Sequence, residues 1–249
     1  MSQKQKWLSF MSIAFGLFTA VMDASMIGIA LPSISKDFSL DLSSAAWISL
    51  VSTITVVAVL LPMGNISDRV GRKKIYLYGV IIMAAGSLFS SFSNEIISLL
   101  IFRIIVSIGA AMRMSTGLAM VMMIFKDKER GKGLGANTTT VGLAAITGPI
   151  FGGFLVGNFG WESIFITQAL LSLPTYLLGF YFLNKDVVDS NHNQRKGNFD
   201  FIGSIISAIA FSVLLFTINY GLVNMSTLVI SFSFLISMLL FILFIYAET

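Results

Sequence analysis

The fold of this chain is decided by a charged segment that joins two long apolar runs, Gly64-Asn65-Ile66-Ser67-Asp68-Arg69-Val70-Gly71-Arg72-Lys73-Lys74. Residues 47–66 form the apolar run that leads into it, and residues 75–92 form the run that follows. This pattern predicts a helical hairpin with a short basic connection, whose glycines permit a tight turn. Short connections rich in Lys and Arg stay on the cytoplasmic side of a membrane, so the tip of the hairpin is expected inside the cell.

Composition places the whole chain in a membrane. Of its 249 residues 56% are hydrophobic and 11% are charged, with a mean hydropathy of +0.88. Soluble proteins carry about 25% charged residues. The absence of Cys excludes disulfides and thiolate chemistry. The single histidine, His192, lies in a polar stretch without a partner at metal-ligand spacing, so no metal site is expected.

Eight apolar segments are long enough to cross a bilayer as helices, since a span needs about 20 residues. They cover residues 8–31, 47–66, 75–92, 96–124, 133–156, 161–183, 201–222 and 226–246. The first follows Lys4 and Lys6 as a signal peptide would, but it is longer than a typical signal sequence. The predicted fold is therefore an all-α, polytopic membrane protein whose two termini lie on the same face.

The basic residues assign that face to the cytoplasm. With the N-terminus inside, thirteen of the 16 Lys and Arg residues fall in inner segments, and only Lys36 falls outside. The inner residues are Lys4, Lys6, Arg69, Arg72, Lys73, Lys74, Lys126, Lys128, Arg130, Lys132, Lys185, Arg195 and Lys196. The net charge of +4 thus reflects topology and attraction to an anionic lipid bilayer, and no nucleic-acid partner is expected.

Three charged residues lie in the spans away from their ends, and a charged residue costs about 2.5–3.5 kcal/mol at a helix centre. Asp23 lies about 22 Å from the inner end of the first span, and Arg103 lies about 10 Å from the outer end of the fourth. Because a bilayer core is about 30 Å thick, the two residues are at similar depth. We expect them to form a buried ion pair beside a polar cavity. The alternative is that each is satisfied separately, with Arg103 extending outward to the interface.

Arg113, the third residue, lies about 25 Å from the outer end of the same span. Near the cytoplasmic surface a long side chain reaches water at little cost, so we expect it to extend to the interface. The alternative is a contact with an anionic substrate or lipid.

The fifth span combines a proline with closely spaced glycines. Pro149 removes a backbone hydrogen bond and is expected to kink the helix. Gly148 with Gly152, and Gly153 with Gly157, have the spacing that lets membrane helices approach closely. The spacing alone does not distinguish a gate from tight packing.

These motifs resemble those of one family. Gly64, Asp68, Arg69, Gly71, Arg72 and Lys73 fill every position of G-x-x-x-D-R-x-G-R-K, the signature between helices two and three of the major facilitator superfamily. Gly135, Gly148, Pro149, Gly152 and Gly153 resemble the helix-five motif of its drug/proton antiporters, with Ala144 in place of the middle glycine. Residues 22–32, 99–111 and 200–203 are similar to further motifs of its fourteen-helix branch, although Ser25, Gly28, Val106 and Ser107 depart from them.

The resemblance implies roles for these residues. Asp23 becomes a proton or cationic-substrate site, Arg103 a proton-coupling residue, and Arg113 a further candidate in the same site. The signature residues become a cytoplasmic latch, and the helix-five residues a kinked gate. The implied activity is drug/proton antiport in a bacterial plasma or inner membrane. A proton gradient supplies the energy without a cofactor, and a lipophilic cation is the default small-molecule substrate.

The resemblance also implies an organisation into three parts. Residues 1–183 are expected to form the six-helix N-terminal bundle, residues 184–200 a cytoplasmic linker, and residues 201–249 the extra helical pair of that branch. Transporters of this kind rock two six-helix bundles about a central site. A second bundle is therefore expected from a separate half-transporter chain, with a truncated or split protein as the main interpretation and a pair of identical chains as the alternative.

Two other classes of function were weighed against transport. A membrane scaffold, or an inactive remnant whose motifs serve only folding, remains the alternative. An enzyme is not expected, because the spans hold no Ser–His pair, metal cluster or carboxylate dyad.

Overall fold

The computed structural model describes residues 2–189, 201–218 and 226–248, and these ranges contain helices but no strands. The helices are α1 (Gln3–Asp37), α2 (Leu42–Ala45), α3 (Trp47–Val70), α4 (Arg72–Ser90), α5 (Ile96–Ile124), α6 (Arg130–Phe159), α7 (Glu162–Phe182), α8 (Lys185–Val188), α9 (Phe201–Phe216) and α10 (Thr227–Glu248). Each of the eight predicted spans overlaps one long helix, and residues 219–222 of the span predicted at 201–222 lie outside the described residues.

Five segments of the described residues are long and apolar enough to cross a membrane. They are Gln3–Asp37, Leu42–Val70, Ile96–Ile124, Arg130–Phe159 and Glu162–Phe182. Of the three remaining long helices, α4 opens with three basic residues and α9 has 16 residues. In α10 the apolar stretch is Leu228–Leu240. The chain is thus an all-helical, polytopic membrane protein, and the orientation of its termini stays a prediction.

The connection between α3 and α4 is shorter than predicted, since it consists of Gly71 alone. Gly64 lies in α3, as the predicted span 47–66 requires. The expectation of a loop is wrong for Asp68 and Arg69, in the last turn of α3, and for Arg72 and Lys73, in the first turn of α4. An isolated glycine costs a helix only about 1 kcal/mol, so Gly64 does not end it. The chain turns at Gly71, whose φ of +106° is a conformation that glycine adopts without strain.

The interior of the described residues contains two large apolar clusters with a polar layer between them, and a small third cluster of Ala20, Met83 and Val106. One cluster surrounds Met26, Ile34, Leu99 and Phe165, and the other surrounds Phe10, Tyr76, Met120 and Phe125. Between them lie buried polar residues of α1, α5 and α7: Thr19, Asp23, Arg103, Ser107, Arg113, Thr116, Gln168 and Ser172. Since burying polar groups in a membrane protein is costly, this layer is the part of the bundle in which to look for function.

The helices pack in pairs through glycines. An added Cβ at Gly109 of α5 would lie 2.6 Å from the carbonyl oxygen of Gly79 and 2.6 Å from the backbone nitrogen of Met83, both in α4. An added Cβ at Gly152 of α6 would lie 3.1 Å from Cγ of Met26 in α1. The backbones therefore meet directly, as small residues permit in membrane helices.

The C-terminal helices continue the bundle on one side. α9 packs against α3, with the rings of Trp47 and Phe216 5.9 Å apart, and α10 packs against α9. The hydroxyl of Ser237 donates to the carbonyl oxygen of Ala210 at 3.1 Å. Residues 184–189 of the predicted linker pack on the bundle, with Val188 buried, whereas its residues 190–200, and His192 among them, lie outside the described residues.

Candidate functional site

Four helices bring their side chains together around Arg103 in α5. Its Nη2 donates to Oδ2 of Asp23 in α1 at 3.0 Å, and its Nη1 donates to Oδ1 at 3.4 Å. Its Nε donates to the hydroxyl of Ser52 in α3 at 3.2 Å, and the guanidinium lies 5.7 Å from the centre of the Phe165 ring in α7. Arg103 is 2% exposed and Asp23 is 5% exposed. The arrangement is a two-pronged ion pair held in the polar layer.

This contact confirms the ion pair that helix depth predicts, and Arg103 does not extend to the interface. The expected polar cavity is a different matter. A cavity of about 260 Å³ lies close by, with walls that are mostly apolar. It reaches Ala20 in α1 and Arg113 in α5, but neither Asp23 nor Arg103 lines it. This cavity is therefore not the polar cavity that was expected beside the ion pair, and that expectation stays a prediction.

Arg113 does not extend to the membrane surface, contrary to the expectation from its position, and is 3% exposed. Its Nη2 donates to the carbonyl oxygen of Gly16 and, at 2.8 Å, to the hydroxyl of Thr19, both in α1. Its Nη1 contacts the sulfur of Met83 at 2.9 Å. The side chain turns inward because Gly16, which has no Cβ, leaves room for it against α1.

The glycines of α6 divide by the face they occupy. Gly148 and Gly152 pack against Ser25 and Met26 of α1, so this pair serves the close contact that its spacing predicts. No side chain or neighbouring backbone lies within 4 Å of a Cβ added at Gly135 or Gly157, and one added at Gly153 would approach only Ile29, at 4.0 Å. α6 continues as one helix through Pro149. The role of these residues as a gate stays a prediction.

The signature residues at the end of α3 and the start of α4 form a clamp with the segment that follows α7. Oδ1 of Asp189 accepts from the backbone nitrogen of Arg72 at 2.6 Å, and so supplies the cap that Gly71 lacks. Nζ of Lys73 donates to the carbonyl oxygens of Phe180 and Leu183 at 2.8 and 2.7 Å. Burial lowers the pKa of Lys73, and the charge of Asp189 opposes this shift.

Asp68, the acidic residue of the predicted latch, accepts from its neighbour on the same face. Nη2 of Arg72 lies 2.7 Å from Oδ1 of Asp68, at i,i+4 spacing. Nothing in the sequence pattern pointed to Asp189, because its partners are about 117 positions away and are backbone groups. The latch role of the six signature residues stays a prediction.

Replacing Asp189 with Ala is expected to lower the free energy of unfolding by about 1 kcal/mol, the usual cost of a lost helix cap. Hydrogen exchange at the first amides of α4 should also speed up, because Asp189 accepts from Arg72 there. Asp186→Ala is the matched control, since Asp186 is exposed on the same short helix. Equal exchange at α4 in the two variants would show that the clamp does not hold this helix.

Sequence reasoning missed three polar side chains of the layer because they carry no charge. Ser52 and Thr19 accept from the two buried arginines. Gln168 is 1% exposed, and its Oε1 has no hydrogen-bond partner among the described residues. Their position as polar residues within apolar spans is the sequence feature that could have identified them. In the described ranges, no group of three or more His, Cys, Asp or Glu side chains is placed to hold a metal.

Comparison with known proteins gives a consistent relationship. Residues 13–249 match the sequence model of the Major Facilitator Superfamily. The riboflavin transporter RibZ of Clostridioides difficile is 34% identical over 216 residues, which cover 87% of this chain and 46% of that protein. The multidrug resistance protein Stp of Mycobacterium tuberculosis is 29% identical over 215 residues, which cover 86% of this chain and 39% of that protein. The chain thus spans less than half the length of both relatives.

Solved structures agree on the fold. A bacterial homologue of the human lysosomal transporter Spinster, in an inward-facing and unoccupied conformation, superposes with a TM-score of 0.61 at 20% identity, over 74% of this chain and 44% of that one. A peptide transporter, POT, in complex with sulfate superposes with a TM-score of 0.66 at 15% identity, over 86% of this chain and 52% of that one. At these identities the likeness concerns the helical architecture alone.

Proposed function

Because this chain belongs to the major facilitator superfamily, we propose that it is part of a proton-coupled secondary transporter that moves a small molecule across a bacterial cell membrane. The observation that carries the proposal is the Asp23–Arg103 pair, buried in the polar layer. Ionisable groups inside a membrane are rare and are characteristic of proton and substrate pathways. The relatives named as transporters support this role over a scaffold, a remnant or an enzyme.

Proton coupling follows from the chemistry of the pair. Ionised Asp23 binds the guanidinium of Arg103 through two oxygens and thereby ties α1 to α5. A proton on Asp23 removes this charge-assisted contact and leaves Arg103 with Ser52 and the face of Phe165. The two protonation states therefore favour different arrangements of the helices. A membrane potential adds about 2.3 kcal/mol per charge per 100 mV, enough to shift two states a few kcal/mol apart.

The working transporter is proposed to include a second bundle beside this one. Rocking of two bundles about a central site is the usual mechanism of such transporters. The length of the relatives supports this, since each is more than twice the stretch that this chain matches. Drug efflux by antiport with a lipophilic cation is the specific form expected from the motifs.

The test is exchange of a substrate for protons in membrane vesicles that contain this chain together with its second bundle. Vesicles loaded with a pH-sensitive dye receive riboflavin or the lipophilic cation ethidium, in separate arms, under an imposed pH gradient. We expect one of them to release protons in the wild type. Asp23→Asn should abolish this release, because the amide cannot bind and release a proton, while it leaves much of the side-chain volume unchanged.

Asp41→Asn provides the control for the same chemical change. Asp41 is exposed before α2, and hydrogen bonds from Ser43 and Ser44 lower its pKa to about 2, so it stays ionised throughout the assay. Its variant should behave as the wild type does. Unchanged proton release in Asp23→Asn would remove Asp23 from the coupling role, and uptake without proton movement would contradict proton coupling.

A further inference from the structure

Arg113 is a buried cation that no carboxylate neutralises in the part of the chain that the structure describes. Its hydrogen-bond partners there are a backbone carbonyl, the hydroxyls of Thr19 and Tyr76 and a thioether sulfur, and the sulfur is a weak acceptor. Its Nε is buried without a hydrogen-bond partner among the described residues. Asp23 attracts this guanidinium from a distance, but it forms its ion pair with Arg103, so burial of the second cation stays costly.

The charges of the polar layer do not balance. The buried charged residues of the described chain are Asp23, Arg103 and Arg113, which leaves one positive charge in excess. Asp23 already binds Arg103 through both oxygens. Thr19, the partner of Arg113, lies one turn before Asp23 on α1, so the excess charge is next to the proposed coupling pair.

The same guanidinium lines the cavity of about 260 Å³, which lies between α1, α3, α5 and α6 with Tyr76 of α4. Its other walls are mostly apolar, with Leu17, Leu60, Leu118 and Val141 among them, and Asn137 adds a polar group. Ligand sites combine such walls with a few fixed polar groups. The volume is just below the range of about 300–1,000 Å³ for drug-sized ligands, so it suits a compact molecule.

We propose that this cavity binds a small organic anion, with its acid group on Arg113 and its apolar body against the walls from α1, α3, α5 and α6. The anion compensates the excess positive charge of the polar layer and accepts hydrogen bonds from the guanidinium where it lines the cavity. A lipophilic cation would bind this cavity less tightly, because it would meet the charge of Arg113. The one buried carboxylate among the described residues, Asp23, is already paired with Arg103. That the anion is a transported substrate rests on the proposed function, whereas its binding does not.

The test compares three ligands that share one ring system: naphthoate, the neutral naphthylmethanol and the cation naphthylmethylammonium. Their binding to the purified chain in nanodiscs of phosphatidylcholine is measured by equilibrium dialysis, with no gradient present. We expect naphthoate to bind about ten-fold more tightly than the alcohol, and the cation to bind most weakly, as for a charge-assisted hydrogen bond. Naphthoate binding no tighter than the alcohol would overturn the proposal.

Two variants assign the binding to this cavity. Arg113→Met should weaken naphthoate binding about ten-fold and leave binding of the alcohol nearly unchanged, because only the anion makes a charge-assisted hydrogen bond with the guanidinium. Gly117→Val should weaken all three ligands. A Cβ at Gly117 meets Ile13 at an ordinary 3.5 Å, so the added methyl groups extend into the cavity without disturbing Arg113. If Arg113→Met does not fold, Gly117→Val alone tests whether naphthoate binds in this cavity. Unchanged naphthoate binding in that variant would overturn the proposal.

A second arm separates a soluble anion from a lipid acid group. Nanodiscs that contain phosphatidylglycerol replace those of phosphatidylcholine. If naphthoate binds equally tightly in both kinds of nanodisc, the occupant is a soluble anion. If its affinity falls in phosphatidylglycerol and returns when that lipid is diluted, the same anion site is occupied by the acid group of a lipid. Because dialysis needs no transport, inactive vesicles in the proton-release assay would leave this result intact.

Discussion

Replacing Arg103 with Met is expected to lower the free energy of unfolding by about 3–5 kcal/mol, the cost of removing one partner from a buried ion pair. The substitution leaves the carboxylate of Asp23, 5% exposed, without the two donors that it accepts from. The hydroxyl of Ser52 also loses its contact with Nε. The measurement is unfolding by a denaturing detergent in mixed micelles, followed by far-ultraviolet circular dichroism.

The double variant Asp23→Asn with Arg103→Met separates the pair from a general loss of packing. It should be more stable than Arg103→Met alone, because Asp23 no longer leaves a buried carboxylate without its partner. Arg130→Met is the control for the same change at the exposed start of α6, and it should have little effect. Additive effects of the two single substitutions would show that Asp23 and Arg103 do not stabilise each other.

Replacing Gly109 with Val is expected to destabilise the bundle by about 3 kcal/mol, the upper part of the usual cost of overpacking. An added Cβ would lie 2.6 Å from backbone atoms of Gly79 and Met83, and backbone cannot move aside as a side chain can. The helices α4 and α5 would have to separate along their whole contact. The midpoint of thermal unfolding, measured in detergent by scanning fluorimetry, reports this change.

Gly117→Val on the same helix is the matched control. Its propensity change is identical, and a Cβ there meets only Ile13 at 3.5 Å. Its unfolding free energy should change by less than about 1 kcal/mol. Equal midpoints for the two variants would contradict the direct backbone contact at Gly109.

The sequence predicted the helices well because lipid allows few alternatives. Backbone polar groups in hydrocarbon must be paired within the segment, so an apolar run of sufficient length forms a helix. The predicted span 96–124 coincides with α5. The boundaries that moved, such as the end of α1 at Asp37 and of α3 at Val70, did so where the helix continues past the apolar run into charged residues. Depth along the helices was also enough to bring Asp23 and Arg103 together, because two antiparallel helices of known length fix the level of each residue.

Depth could not predict the direction in which a side chain turns. Arg113 was expected at the interface, yet it points inward because Gly16 and Thr19 of α1 lie opposite it. Likewise Asp189 caps α4 across the bundle, a contact between residues far apart in the chain. Such contacts depend on the rotation of each helix about its axis, which the hydropathy of a nearly uniform apolar segment does not specify.

The amino-acid sequence therefore determined that the apolar runs form long helices, and at what height along them Asp23, Arg103 and Arg113 lie, because hydrocarbon excludes unpaired backbone groups and helix rise sets the height. Only the tertiary structure decided which faces meet: α4 on α5 at Gly79 and Gly109, and Arg113 on the wall of a cavity. These arrangements follow from the way glycines and side chains pack between helices. Because lipid tails and helix surfaces are almost equally apolar, the shape of the contacting surfaces, and not their hydrophobicity, selects which helices pack together.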